Sequence, residues 1–345
     1  MPSPTKIITV YPNFANQGGA QDVALTLAEK FTPGERPIVL CQTPAAAIAD
    51  LYRTRARFLP FNLGSIRSLA WQGATFISHS RKTTTLLCLY AHLSGPKLRI
   101  IHVAHNTFTN LRHLTLFPQT IVAVSQSVKQ NLEDYFRLPG ERVRVILNGL
   151  PDRCPQPAVR QSDGLTKVLL PGRICAVKQQ IALVESIGNS LAPHVHIYFA
   201  GTGNDEVLLR QAIAGKPQFH FLGHINIPSR LPEFDYVCLF SQKEGLGLSL
   251  VEGLMFGKPL VTNLLPALLE VNRPGSTGFA YPDFASLAQG LNSLPQPGSP
   301  AYATLSHAAR ERYETYFTEP RMIEEYREVV RQVGIEPDEC KKTYL

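Results

Sequence analysis

The stretch EGLGLSLVEGLMFGKPLV, residues 244–261, follows the apolar run YVCLF (236–240) and sets two carboxylates, Glu244 and Glu252, on either side of a glycine-rich turn. Ser249 with Glu252 three residues later has capping-box spacing, in which hydroxyl and carboxylate satisfy each other's orphan amides at a helix start. The helix then takes in Leu254, Met255 and Phe256 and stops at Gly257, with Pro259 just before the apolar run LVT. Strand, turn, short helix, strand is the repeating unit of an α/β sheet.

Capping accounts for Glu252 but not for Glu244, which precedes Gly245 and Gly247 in a loop at the carboxyl end of a strand, where open α/β sheets bind ligands. The amides around Leu248, Ser249 and Leu250, at the positive end of the helix dipole, form a seat for a phosphate. Carboxylates repel phosphate and suit hydroxyls. A ligand with hydroxyls on both sides of a phosphate is a sugar nucleotide.

Similar apolar runs recur on both sides of this stretch. KIITVY (6–11), PIVLC (37–41), ATFIS (74–78), LRIIHVAH (98–105) and TIVAVS (120–125) make one series; KVLLPG (167–172), HIYFAG (196–201), FHFLG (219–223), YVCLF and PLVT make a second. Helical patterns separate them, so two parallel sheets with crossover helices are expected. The break falls in NGLPDRCPQPAVRQSDG (148–164), giving domains over 1–155 and 160–318 with a cleft between the two sheets' carboxyl ends. The periodic stretch RMIEEYREVVRQVG (321–334) reads as a surface helix closed by Gly334, part of a C-terminal segment near 320–345 that packs back on the first domain.

At 345 residues, 44% hydrophobic and 18% charged, the chain has the makings of two globular domains. No run is long enough to cross a membrane as a helix, and MPSPTKIITVYPN is too short and polar for a secretory signal, so a cytosolic location is expected. The six cysteines form no CxxC pair; Cys41, Cys88 and Cys238 sit in apolar runs, and all six, Cys154, Cys175 and Cys340 included, read as reduced thiols with no zinc site. Residues 1–160 carry 18 Lys+Arg against 8 Asp+Glu, whereas 161–345 carry 16 against 19. Much of the basic character lies in 51–73, where Arg53, Arg55, Arg57 and Arg67 interleave with Phe58, Phe61, Leu69 and Trp71, a mixture suited to an anionic membrane, a phosphate-bearing acceptor or nucleic acid, or simply to a solvated face.

Other candidates follow from position. Gly18 and Gly19 open a helix after the first strand and let backbone approach a ligand. GTGNDE (201–206) reads as a structural turn, because Glu206 stands where a dinucleotide fingerprint needs glycine. Arg173 and Lys178, in GRICAVK, lie past the second series' first strand and would neutralise a diphosphate. His105 ends a strand facing the expected cleft, whereas His102 lies within it; His194 and His196 read as strand residues, and Glu270 is a third carboxylate near the Glu244 edge.

EGLGLSLVE, together with GGAQDVALTLAEKF, HVAHNTF, VRVILNGLP, GRICAVK and GKPLV in the same order, resembles the retaining nucleotide-sugar glycosyltransferases of family 4, with the GT-B fold of two Rossmann-like domains, and the likeness covers essentially the whole chain. The resemblance implies that the first domain holds the acceptor and the second the donor. Glu252 would bind the ribose hydroxyls, Arg173 and Lys178 the diphosphate, Glu244 the transferred sugar, and the amides near Leu248, Ser249 and Leu250 the phosphate oxygens. His105 would contact the sugar, and Gly18 and Gly19 would approach the donor. NLLPALLEV departs from the family's glycines before the glutamate matched by Glu270.

Hexosyl transfer without metal or cofactor is expected, since none of the nine aspartates forms a DxD pair and the nucleotide sugar is itself a substrate. The basic first half, with Arg81 and Lys82 after its third strand, points to a glycan acceptor on an anionic lipid, such as a polyprenyl diphosphate or lipopolysaccharide precursor, at the cytosolic membrane face. A sugar-nucleotide epimerase of the same fold is the first rival. A non-catalytic basic binder of nucleic acid or membrane ranks last, because it gives Glu244 and Glu252 no purpose.

Overall fold

A computed structural model describes residues 6–94, 98–157 and 160–335 of the chain. Its internal contacts divide it into two units, one running to Asn148 and resuming at Met322, the other spanning Gly149–Arg321. Cys340 lies outside the described residues; the other five cysteines are free thiols.

The first unit is built on seven strands: β1 (Ile7–Val10), β2 (Ile38–Cys41), β3 (Arg57–Pro60), β4 (Thr75–Ser78), β5 (Arg99–Ala104), β6 (Thr120–Ala123) and β7 (Val143–Val145). Every pairing is parallel, in the order β3-β2-β1-β4-β5-β6-β7. β1 reads IITV and is buried throughout, as a parallel strand covered on both faces must be.

The second unit holds β8 (Thr166–Pro171), β9 (Val195–Ala200), β10 (Phe219–Gly223), β11 (Tyr236–Leu239), β12 (Leu260–Asn263) and β13 (Gly278–Tyr281), again all parallel, in the order β10-β9-β8-β11-β12-β13. Val168, Ile197, Phe199, Leu183 and Leu287 centre its core. Buried Asp235, just before β11, accepts two bonds from the Arg160 guanidinium (3.0 and 2.9 Å) and one from the Lys167 amide (2.8 Å), which pins β11 against β8 at their starts.

Both sheets reverse direction of winding about their first strand: β1 has β2 on one side and β4 on the other, and β8 has β9 and β11. These are the topological switch points, where the connections from two adjacent strands run to opposite sides of the sheet and ligands bind at the strands' carboxyl ends.

Three strands escape the sequence pattern. β3 is an edge strand of four residues, the middle two half-buried and the outer two exposed, ending in Pro60, which an edge tolerates because it need not donate. β7 has three residues and β13 four, GFAY. The C-terminal helix Glu319–Ile335 continues through Gly334 and is no mere surface helix: Met322, Ile323, Tyr326 and Val329 are buried along one stripe.

Candidate active site

In the second unit the loops after β8 and β11 leave the switch point side by side. Gly172 follows β8 with φ of +143°, and its amide donates to Ala200 O at 2.8 Å, while Ile174 N reaches Thr202 O at 3.0 Å. The turn 201–206 is therefore structural, as expected: Gly201 and Gly203 lie so close to the carbonyls of Gly172 and Ile174 that a Cβ at either would overlap them. A 3₁₀ turn, Ala176–Lys178, comes next, and Gln179 passes through the left-handed region (φ 55°) into the helix Gln180–Ile187. Buried Gln180 donates from Nε2 to Arg173 O at 2.9 Å, fixing the backbone there while the Arg173 side chain stays exposed.

The loop after β11 is anchored on both sides. Gln242 N donates to Val177 O at 2.9 Å, and Asn263, at the end of β12, donates from Nδ2 to Ser241 O at 2.8 Å. Thus held, Glu244 accepts a charge-assisted hydrogen bond from Lys178 Nζ, with both side chains mostly buried. The structure brings these two predicted residues together as partners of each other. Lys178 lies folded against Gly172, its side-chain carbons within ordinary van der Waals reach of that residue's Cβ position.

The helix after this loop starts differently from the capping-box expectation. Gly247, in the left-handed region (φ 87°, ψ 66°), is the N-cap of Leu248–Met255 and makes no side-chain cap bond; Ser249 is the second helical residue. A Ser–Glu cap needs extended backbone at the Ser, and the glycine takes that corner two residues earlier. The Leu250 amide is already spent on Gly247 O (2.9 Å). This leaves the Leu248 and Ser249 amides as the open donors of the helix start. Gly245 is buried in the turn, Glu252 is half buried on the helix, and Glu270 lies in the last turn of the helix Pro266–Val271.

In the first unit the corresponding edge carries histidines. His105 follows β5, and its Nε2 shares a hydrogen bond of 2.8 Å with Nδ1 of His79, one residue past β4; the rings stack at 5.1 Å. Below them, His102 in β5 bonds through Nδ1 to Thr84 Oγ1 (2.8 Å), which donates to Ser78 Oγ (2.9 Å). Burial disfavours the imidazolium of all three, pulling His79 well below the ordinary histidine value, His102 to about 3 and His105 to about 4. His105 is thus a neutral, fixed imidazole. His79 was missed, although the rule that selected His105, a histidine at a strand's carboxyl end, applies to it equally.

Gly18 caps the helix Gly19–Phe31 in extended backbone, with its amide donating to the Tyr52 hydroxyl at 3.3 Å. Arg81 is committed locally: its guanidinium lies 3.7 Å over the Phe108 ring and donates to Asn110 O (3.0 Å) and Oδ1 (2.9 Å), whereas Lys82 is exposed. His196 pairs with His220 (2.9 Å) on the second sheet, a strand residue as read, whereas His194 lies in the turn just before β9 and not in the strand.

Two doubly wound parallel sheets, one with cations, a carboxylate and an open helix start at its switch point, are the architecture of GT-B enzymes. Solved structures agree: a glycosyltransferase from Rickettsia africae superposes with TM-score 0.81 (16% identity, 97% of this chain, 100% of that one), and Anabaena HepE in complex with UDP-glucose with 0.79 (18% identity, 94% and 99%). Residues 11–153 match the profile of Glycosyltransferase Family 4, and residues 166–296 that of Glycosyl transferases group 1. The chain belongs to the family 4 type of glycosyltransferases. Among curated relatives it is similar to the D-rhamnosyltransferase WbpZ of Pseudomonas aeruginosa, 28% identical over 200 residues that cover 54% of this chain and 52% of that protein; the match thus spans about half the relative's length.

Proposed function

We propose that this protein transfers a hexosyl group, with retention, from a nucleoside-diphosphate sugar to a glycan or lipid-linked acceptor in bacterial surface-polysaccharide synthesis, at the cytosolic face of the membrane. The observation that carries the reading is the Lys178–Glu244 pair beside the open amides of Leu248 and Ser249 at the switch point of the second sheet. Relatives named for D-rhamnosyl transfer and O-antigen biosynthesis support the pathway class, and the UDP-glucose held by HepE supports the donor class.

Lys178, the exposed Arg173 and the two amides supply positive charge where the leaving diphosphate gains negative charge, so no metal is required for that task. Glu244 accepts hydroxyl protons of the transferred sugar and Glu252 those of the ribose. His105, held by His79, hydrogen-bonds a substrate hydroxyl. The anomeric carbon–phosphate oxygen bond breaks as the acceptor oxygen bonds on the same face, and the acceptor's proton passes to the departing phosphate oxygen.

Product stereochemistry by NMR tests the reading: the anomeric configuration of the donor is retained, and an inverted product refutes it. Conversion of the donor into an epimer without acceptor would establish the epimerase instead. Glu252→Gln weakens donor binding, measured by thermal shift, where a donor at 100 times its dissociation constant adds about 2.7 kcal/mol.

A further inference from the structure

The outer surface of the first unit is patterned against the usual rule for helices. Helices Leu63–Trp71 and Arg81–Ser94 bury Ile66 and Leu69, and Leu87, Cys88 and Tyr90, in one cluster on the same face of the seven-stranded sheet. Their outward stripes are apolar instead of polar. On the first, Leu63, Arg67 and Trp71 are spaced by four and all exposed, Trp71 to 77%. On the second, Lys82, Leu86, Leu89 and Leu93 form one exposed stripe, with Leu93 at 79%.

The segment after β5 extends this surface. It is tied to the second helix where Arg81 holds Asn110 and where Leu116 N donates to Thr85 Oγ1 at 3.1 Å. Between those ties Leu111 and Leu114 are exposed around Arg112. Seven of the thirteen exposed large hydrophobic side chains among the described residues therefore gather on three neighbouring segments.

The charge on this surface has one sign. From Asp50 to Glu133 the sequence contains ten Lys or Arg and no intervening Asp or Glu. Arg53 and Arg55 are already engaged, with Asp50 and with Glu29, which leaves Arg67, Lys82 and Arg112 as the cations among the exposed leucines.

We infer that this face docks on an anionic lipid bilayer, Leu86, Leu89, Leu93, Leu63 and Trp71 entering the boundary between headgroups and acyl chains while the cations meet lipid phosphates. An apolar stripe rimmed by one sign of charge fits a surface that offers both hydrocarbon and negative charge. A second copy would bring like charge against like. A nucleic acid would answer the cations but not the leucines. The inference rests on the membrane location proposed above and names the face that meets the lipid; docking is measured without any sugar nucleotide, so its failure leaves the donor reading untouched.

Trp71, the chain's one tryptophan, reports on it directly. With phosphatidylcholine vesicles containing phosphatidylglycerol, at low salt, its emission shifts to the blue and bromolipids quench it; pure phosphatidylcholine leaves it unchanged. In flotation, the triple variant Leu86→Glu, Leu89→Glu, Leu93→Glu partitions at least about tenfold less than the unmodified chain, and Arg67→Glu partitions less as well, both with unaltered melting. Docking with Trp71 emission unchanged, or equal partition of the triple variant, overturns the inference. So does a dimer in ultracentrifugation that the triple variant dissolves without any vesicle binding by the unmodified chain, which would make the occupant a second copy.

Discussion

Glu244 and Lys178, 66 positions apart in sequence, are partners at the carboxyl ends of adjacent strands β11 and β8. Without ligand each neutralises the other, so a diphosphate must compete with Glu244 for the ammonium. Glu244→Gln therefore tightens binding of a nucleoside diphosphate several-fold by calorimetry, while kcat falls by about a hundredfold because the sugar loses its acceptor. Weaker diphosphate binding in this variant would show that the carboxylate positions Lys178 and does not compete for it.

The three neutral histidines make folding sensitive to acid. Their folded-state values lie below the ordinary 6.5, so the unfolded chain takes up protons first as pH falls. Their contribution is full above pH 6.5 and is lost progressively below it; the part due to His105 is gone near pH 4. Melting curves between pH 7.5 and 4.5 should steepen in this window, and His105→Gln should remove up to about 1.4 kcal/mol per pH unit of the slope. An unchanged slope would mean that His105 is protonated in the folded protein.

Gly201→Ala places a methyl group against the Gly172 carbonyl at a backbone φ of +138° that side chains avoid. The loop carrying Arg173 has to yield. A loss of about 1–3 kcal/mol in chemical denaturation is expected, with weaker nucleotide binding. Full stability would show that the two loops separate easily.

Arg81→Lys keeps the charge and removes the fork that holds Asn110 and the planar face stacked on Phe108. Melting should fall by the equivalent of about 1 kcal/mol with the acceptor KM unchanged. The converse, normal melting with a raised KM, would support the acceptor-binding role that its position in sequence implies.

How much was legible depended on whether a residue's partner was local. The strands at the centre of both sheets are buried on two faces and read as apolar runs; β3, β7 and β13 are too short or too mixed to show. Lys178, Arg173 and Glu244 could be placed on one edge because strand order alone dictates it. The ion pair could not be foreseen, because it depends on how tightly two loops are drawn together by Gln242 and Asn263. The Ser249–Glu252 spacing misled for a related reason: the left-handed corner at Gly247 belongs to the loop's path and not to the four-residue pattern. Arg55 looked available in sequence and is bound to Glu29 in space, at 2.8 Å.

The return of the chain from Met322 to the first unit sets an order of events in synthesis. A ribosome delivers residues from the amino terminus, and domains ordinarily fold in that order. Here the first-made unit lacks Met322, Ile323, Tyr326 and Val329 until all of the second unit has been made. The second unit, continuous from Gly149 to Arg321, can close on itself while the first still waits with an apolar surface uncovered. The part of the nascent chain most in need of protection from aggregation is therefore the part made first, and that need ends with the last helix.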